Sequence, residues 1–170
     1  MCIVIDTNSL ASVFDQESQR HIEFRPVLDW IVHGHGKIVY GGTTYRRELA
    51  RATKYFRLLI ELKKASKIVE VDSTKVDEIE QQLTRTLSHP DFDDPHIVAI
   101  IIASGCRLIC SDDARAYRFF RRTEFYPKHV QRPHIYSREL NKNLLHDKNI
   151  ADCCRPLSKL PKAIGRSIGV

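Results

Sequence analysis

Short acidic signatures constrain this chain more than any other feature, because each falls where a strand is expected to end or a helix to begin. They are Asp6 after the run CIVI, Glu48 in TTYRRELA, Asp94 in DDPHIVAIIIA, and the pair Asp112 and Asp113 in RLICSDDARAY. The carboxyl ends of neighbouring parallel strands meet at one crevice, where an open α/β sheet binds its ligands. Carboxylates gathered there need a counter-charge, which hard divalent cations supply. The pattern therefore predicts a metal-dependent hydrolase.

Short apolar runs alternate with amphipathic stretches along most of the chain. We predict strands at residues 2–5, 37–40, 68–71, 107–110 and 134–137, and helices at residues 25–33, 53–64, 74–87, 97–104, 111–122 and 138–145. A further helix, capped by Thr43 or Thr44, is expected to carry Glu48. Asp94 and Pro95 have the form of an N-cap and first helical residue, and Gly105 is a helix stop. This alternation predicts an α/β protein: a three-layer α/β/α fold around a central parallel sheet.

The 170 residues are enough for one domain that buries about 70% of its unfolded surface. We assign residues 1–137 to this domain and residues 138–170 to a basic C-terminal extension. Charge is uneven, because residues 1–106 carry 13 Lys and Arg against 15 Asp and Glu, whereas residues 107–170 carry 14 against 6. The basic second part indicates a polyanionic partner.

No stretch of the sequence predicts a membrane span or a signal peptide, so a cytoplasmic protein without a membrane partner is expected. The five cysteines are odd in number and lack paired CxxC spacing, so reduced thiols are predicted in place of a disulfide framework. A zinc site made by Cys106, Cys110, Cys153 and Cys154 is an alternative that this spacing disfavours.

The strand ending in IDTN, the helix with REL, the DPHIVAIIIASG helix and the RLICSDDARAY turn, taken together in this order, resemble PIN-domain ribonucleases, including VapC-like toxins. The resemblance covers about residues 1–135. It implies that Asp6, Glu48, Asp94 and Asp113 are the catalytic and metal-binding acids, with Ser111 and Asp113 similar to the family's Thr-x-Asp turn. Asp112 stays an alternative to Asp113, and Asp93 an alternative to Asp94.

The resemblance implies a metal-dependent endoribonuclease that uses Mg²⁺ or Mn²⁺ in a two-metal mechanism. In such a mechanism two ions clamp the attacking and leaving oxygens of the phosphodiester. Asp6 and Asp94 are expected to bind metal directly, Glu48 to bind metal or position water, and Asp113 to hold the second ion. Thr7, Asn8 and Ser9, which follow Asp6, are expected to place hydroxyl, amide or backbone donors near the scissile phosphate. Of the eight histidines, His96 is the one expected close to substrate.

An RNA surface is expected beside these acids. One predicted set of basic residues lies on one side of a continuous helix: Arg46, Arg47, Arg51, Lys54 and Arg57. A second set, Arg115, Arg118, Arg121 and Arg122, faces one side of another helix whose other side carries aromatic residues. The expected RNA-binding residues are Arg46, Arg47, Arg51, Arg115, Arg118 and Arg122. A solvated face that keeps the protein soluble is the alternative.

The biological setting implied by the resemblance is the toxin of a toxin-antitoxin pair or a defence module. Its partners are then an RNA substrate, an inhibitory antitoxin-type protein and, as in many relatives, a second copy of the chain. A catalytically weak PIN-like module that binds RNA or protein is the alternative. An Asp-nucleophile phosphatase is disfavoured, because it needs a second Asp where this chain has Asn8.

Overall fold

Five parallel strands build one sheet in the order β3-β2-β1-β4-β5 in a computed structural model that describes residues 2–87, 89–147 and 150–161. The strands are β1 (Cys2–Ile5), β2 (Lys37–Tyr40), β3 (Ile68–Glu70), β4 (Leu108–Cys110) and β5 (His134–Tyr136). The chain adds β2 and β3 on one side of β1 and then crosses to add β4 and β5 on the other. A switch point therefore lies between β1 and β4, where α/β sheets bind ligands.

Helices cover both faces of the sheet, which confirms the predicted three-layer α/β/α fold. They are α1 (Leu10–Phe14), α2 (His21–Val32), α3 (Thr43–Arg51), α4 (Phe56–Lys64), α5 (Ser73–Thr86), α6 (Pro95–Ser104) and α7 (Tyr117–Phe120). Within the described chain, no helix is both long enough and apolar enough to cross a membrane.

Strand β1 divides the interior into two cores. Cys2 and Val4 point into a core closed by α5 and α6, whereas Ile3 and Ile5 point into a second core closed by α1, α2 and α4. Successive side chains on a strand face opposite sides of its sheet, so a continuous apolar run is what a strand buried on both faces requires.

Helix α6 is the most deeply buried helix next to the crevice. Pro95 occupies its first turn, residues 97–101 are fully buried, and Gly105 ends it in the left-handed conformation with φ +67°. Burial of each of the Ile and Val side chains in this stretch contributes about 1.5–3 kcal/mol before the entropy cost. The predicted start and stop of this helix are confirmed, and its amino end is held firmly at the sheet edge.

Three helix predictions were wrong. The predicted continuous helix with Arg46, Arg47, Arg51, Lys54 and Arg57 is interrupted, because α3 ends at Arg51 and a 3₁₀ turn at Thr53–Tyr55 precedes α4. The predicted helix at residues 111–122 is reduced to α7.

Local hydrogen bonds explain the shortened helix, since the Asp113 carboxylate accepts the Arg115 backbone N–H at 2.9 Å and fixes a turn instead. The predicted 138–145 helix is a 3₁₀ stretch at Glu139–Leu144.

The predicted threonine caps of α3 were also wrong. Gly42 is the N-cap, with φ +81°, and a Cβ placed there would lie 2.6 Å from Val76. Asp77 of α5 accepts both the backbone N–H and the hydroxyl of Thr43, at 2.7 and 2.6 Å. The neighbouring helix α5 thus satisfies the amino end of α3, whereas the sequence predicted that a threonine of α3 itself would do so.

The described part of the C-terminal extension packs against the amino end of the sheet. Lys37 Nζ donates to the carbonyl oxygen of Pro156 at 2.8 Å, and His35 Nδ1 lies 2.9 Å from Asp147. Ala151 and Cys154 are buried in the core closed by α5 and α6. Residues 148–149 and 162–170 of the extension lie outside the described residues.

Candidate active site

The acids predicted to cooperate come from four elements at the carboxyl edge of the sheet. Asp6 follows β1, Asp113 follows β4, Asp94 begins α6, and Glu48 lies in α3. Because β1 and β4 are paired neighbours, their ends meet at the switch point of the sheet. The site is therefore built on the most central elements of the fold.

Asp6 is a buried carboxylate held by two hydrogen bonds. It is 1% exposed, its Oδ1 accepts the Asn8 backbone N–H at 3.0 Å, and its Oδ2 accepts the Ser111 hydroxyl at 2.8 Å. Burial raises the pKa of Asp6, and these two bonds offset part of that rise. Ser111 thus orients Asp6 across the β1–β4 junction.

Asp94 stands at the N-cap position of α6, but its side chain makes no capping hydrogen bond. It is 8% exposed. Burial, followed by the negative charge of Asp6, raises the pKa of Asp94 to about 7. A cation bound at this position would stabilise the ionised form of Asp94, because it offsets the free-energy cost of the buried negative charge.

Glu48 is held between Thr7 and His96. Its Oε2 accepts the Thr7 hydroxyl at 2.7 Å and lies 3.3 Å from His96 Nε2. Burial raises the pKa of Glu48, but His96 and Thr7 outweigh it, so the pKa is lowered overall. The carboxylate is therefore kept ionised.

His96 is 1% exposed, yet neither ring nitrogen has a well-directed hydrogen bond within the described residues. Its contact with Glu48 satisfies the distance of an ion pair but not the direction of a hydrogen bond. Its ring packs edge-on against Tyr45, with centroids 6.1 Å apart. In its neutral form the His96 ring has one nitrogen with a lone pair that can bind a ligand.

The two neighbouring acids after β4, Asp112 and Asp113, have different partners. Asp112 pairs with Arg20 at 2.5 Å and accepts the Ser12 hydroxyl at 3.3 Å. Asp113 instead joins Asp93 and Asp94. The geometry thus brings Asp113 into the acidic crevice and directs Asp112 away from it.

Two groups of ligand atoms meet in the crevice. Oxygens of Asp93, Asp94 and Asp113 lie within 4.8 Å of one another, and so do the ligand atoms of Glu48, Asp94 and His96. Asp94 belongs to both groups. Asp6 belongs to neither, but its charge acts on Asp94 and Glu48 acts on Asp6. Carboxylates with one imidazole suit a divalent ion such as Mn²⁺ as well as Mg²⁺, so this donor set fits a divalent metal.

Comparison with known proteins identifies the family. A family model described as PIN domain matches residues 2–115, which include all of these acids. The chain belongs to the PIN-domain family. Searches of curated proteins and of solved structures gave no significant match. PIN domains are in general nucleases that use divalent metals, and the buried acidic crevice of this PIN domain can hold such an ion.

The arginines predicted to bind RNA divide into two sets in this PIN domain. Four of them pair with carboxylates: Arg46 with Glu70, Arg115 with Asp113, Arg118 with Asp91, and Arg122 with Glu124. Arg47 and Arg51 are exposed and form no ion pair among the described residues. Arg115 is the arginine at the crevice itself, since it binds Asp113 through Nη2 at 2.8 Å and Nε at 3.1 Å.

Sequence reasoning gave little weight to two members of this PIN-domain crevice. Asp93 was an alternative to Asp94, whereas the structure places both in one donor group. His96 had a signal in the sequence, because it lies two residues after Asp94 in the first turn of α6. Thr7 was expected at the scissile phosphate, whereas its hydroxyl donates to Glu48.

Proposed function

We propose that this PIN domain is a metal-dependent endoribonuclease whose acidic crevice holds two divalent ions, Mg²⁺ or Mn²⁺. One observation carries the proposal: Asp94, buried and free of a capping role, belongs to both groups of ligand atoms. A carboxylate shared in this way is suited to bridge two ions, since each of its oxygens can serve one of them.

The proposed ligands follow from the two groups. Asp94, Asp113 and Asp93 would hold one ion, and Asp94, Glu48 and His96 the other. When bound, the ions would stabilise charge on the scissile phosphate and lower the pKa of a bound water. Asp6, held by Ser111, contributes negative charge beside Asp94 and a further carboxylate facing the crevice.

Arg115 has a proposed positioning role for the phosphate. It neutralises Asp113 in the structure, and an ion at Asp113 would compete with it. A released guanidinium next to the crevice can donate two parallel hydrogen bonds to two oxygens of a phosphate. Hydrolysis would then break the P–O3′ bond, with the oxygen of water joining phosphorus and a proton passing to the 3′-oxygen. The products would be a 5′-phosphate and a 3′-hydroxyl.

RNA is the proposed substrate because arginines border the crevice on two sides. Arg47 and Arg51 sit on the same helix as Glu48, and Arg115 and Arg118 follow the turn that carries Asp113. Such arginines position a phosphate backbone without reading its sequence. The chain as a whole carries a formal net charge of +6 at pH 7.

Cleavage of a mixed RNA pool tests the proposal. The wild type is compared with the Asp6→Asn, Asp94→Asn double variant, with Asp112→Asn as the matched control outside the crevice, in Mg²⁺, Mn²⁺ and EDTA. Metal-dependent cutting by the wild type and by Asp112→Asn, lost in the double variant, supports the nuclease. RNA binding by all three proteins without any cutting would favour the alternative, a catalytically weak binding module.

The setting that we propose is a toxin or defence nuclease controlled by an inhibitory antitoxin-type protein. An apolar groove lined by Leu49, Phe56, Leu59 and Ile60 supports a protein partner, because Phe56 is 57% exposed and Ile60 39%. A second copy of the chain is the competing occupant.

Light scattering of the purified protein separates the two occupants. If the protein is a monomer, the groove is free to bind an inhibitor. If it is a dimer and the Phe56→Asp substitution dissociates it, the groove is the site of self-association.

A further inference from the structure

An exposed histidine, His89, lies in the turn that leads into the acidic crevice. Its backbone carbonyl accepts the Phe92 N–H at 2.9 Å, which closes the turn. The Asp91 backbone N–H donates to His89 Nδ1 at 3.1 Å, and this hydrogen bond orients the imidazole ring. The turn therefore presents an oriented aromatic ring to solvent a few residues before Asp93 and Asp94.

A column of aromatic rings supports His89 from the core. The His89 ring lies against Phe119, with centroids 5.3 Å apart. Phe119 is 5.1 Å from Phe92, which in turn stacks on Phe125 at 5.2 Å and 20°. All three phenylalanines are buried in the core closed by α5 and α6. A ring that is already held in place loses little conformational entropy when a ligand stacks on it.

A guanidinium continues this surface beside the histidine. Arg118 also lies over the Phe119 ring, 4.7 Å from its centroid, and pairs with Asp91. Its side chain is 57% exposed. Histidine rings and arginine guanidinium planes are both groups on which unpaired nucleobases stack. The surface therefore suits a flat heteroaromatic ring.

This surface borders one side of the crevice. Asp93 and Asp94, which follow the turn, join Asp113 in one group of ligand atoms. The pKa of Arg115 is raised first by its hydrogen bond to Asp113 and then by the charges of Asp93 and Asp91. The turn with His89 and the turn with Asp113 are thus neighbours. A ligand on the surface lies next to the position proposed for the scissile phosphate.

We propose that His89 and Arg118 form a base-stacking subsite, which holds one unpaired nucleobase of the RNA beside the scissile phosphate. The inference rests on the proposed ribonuclease function and adds to it a way of selecting substrate. Bases of a duplex are already paired and stacked, so the subsite selects a single-stranded nucleotide. Arg47 and Arg51 lie on the helix of Glu48, which belongs to the other group of ligand atoms. A strand that contacts these arginines and His89 therefore spans both groups.

Fluorescence anisotropy in EDTA tests the subsite with a single-stranded oligoribonucleotide, a duplex of the same sequence and an abasic strand of the same length. His89→Ala should weaken binding of the single strand by about fivefold or more, which is the scale of one lost base stack. Binding of the duplex and of the abasic strand should not change, because phosphate contacts hold both. His89→Phe keeps a flat ring and should restore the affinity. His129→Ala, at an exposed histidine in the loop before β5, is the matched control.

Arg118→Lys keeps the charge but removes the guanidinium plane, so it should also weaken binding of the single strand alone. Unchanged single-strand affinity in either His89→Ala or Arg118→Lys would overturn the proposal. An equal loss for the abasic strand would overturn it too, because the residue would then act through phosphate or through the fold.

Cleavage kinetics with Mn²⁺ distinguish this proposal from the nuclease itself. His89→Ala should raise KM for single-stranded RNA and leave kcat within about threefold, as loss of uniform binding does. Cleavage with an unchanged KM in His89→Ala would overturn the subsite and leave the nuclease standing. A wild type that neither binds nor cleaves RNA would overturn both.

Discussion

Asp94 is a buried carboxylate with acidic neighbours, and its ionisation opposes folding when no cation is present. Its pKa is raised from 3.8 to about 7, so between these pH values the native state holds a proton that the unfolded chain has lost. Stability of the metal-free protein therefore falls as the pH rises from about 4 to about 7, and it stays lower above that.

We predict that Asp94→Asn stabilises the metal-free protein at pH 8 by on the order of 1–3 kcal/mol, because the amide needs no counter-charge. Urea unfolding in EDTA at pH 8 and pH 4 measures this, and the advantage of the variant should shrink at pH 4. Added Mn²⁺ should reverse the order by stabilising the wild type. A variant that is less stable than the wild type at pH 8 would contradict the argument.

Substitutions of Asp112 and Asp113 can be compared directly, because these adjacent and chemically identical side chains have different surroundings. Asp113 joins the crevice, whereas Asp112 pairs with Arg20 on the surface. Asp113→Asn should lower kcat for RNA cleavage by about 100-fold or more, on the scale of a lost electrostatic contact in a reacting site. Asp112→Asn should leave kcat within about threefold and cost at most about 1 kcal/mol of stability. Equal losses in kcat would argue against the division.

Among the described residues, His96 contributes the one nitrogen ligand to the groups of ligand atoms in the crevice. If it binds the ion shared with Glu48 and Asp94, His96→Ala should weaken Mn²⁺ binding by about 10–100-fold, on the scale of altered metal shells. Isothermal titration with Mn²⁺ measures the loss. His89→Ala, which removes an exposed histidine from the turn before α6, is the control. Unchanged Mn²⁺ affinity in His96→Ala would leave His96 as a packing residue beside Tyr45.

Among the elements, α6 determines where Asp94 lies. Its fully buried apolar stretch positions the helix, and Gly105 ends it with φ +67°, where a Cβ would meet nothing within 4 Å. The cost of a side chain at this position is therefore conformational and not steric. Gly105→Ala should destabilise the protein by about 1 kcal/mol, and Gly105→Asn by less, since Asn tolerates left-handed backbone better. Urea unfolding of both variants measures the two costs; equal costs would show that backbone conformation is not what distinguishes them.

At the same scale, local patterns predicted the elements that carry their own signals. The apolar runs of β1 and β2 and the Asp-Pro start and Gly stop of α6 are such signals, and their bounds agree with the structure to within a residue or two. Tertiary contacts decided the rest. The cap of α3 comes from Asp77 in α5, and the turn after β4 follows from the contacts of Asp113. Neither contact can be inferred from periodicity, because the partners are distant or compete with helix formation.

For the whole molecule, the order of the acids along the chain predicted that they meet, since parallel strands leave their carboxyl ends at one edge. The packing of the C-terminal extension could not be predicted in the same way. Cys2 and Cys154 are separated by nearly the whole chain, and their contact depends on the path of an extension that carries no periodic signal.

The charge distribution of the whole molecule yields a final prediction about RNA binding. Arginines already paired with carboxylates must exchange one partner for another, whereas Arg47 and Arg51 are exposed without ion pairs among the described residues. Because they are four residues apart on α3, they lie on one helix face beside Glu48. These two should therefore contribute more to phosphate binding than an arginine such as Arg122, which pairs with Glu124 and stacks on Phe125.

Binding of single-stranded RNA in EDTA, measured by fluorescence anisotropy across a salt series, separates the two kinds of arginine. Loss of two phosphate contacts should reduce the slope of log K against log salt by about 1.4, since each contact on a single strand contributes about 0.7. We expect this change for Arg47→Ala, Arg51→Ala together and little change for Arg122→Ala. The opposite ranking would place the RNA on the side of the crevice that follows β4, and an unchanged slope in both variants would remove these arginines from the RNA surface.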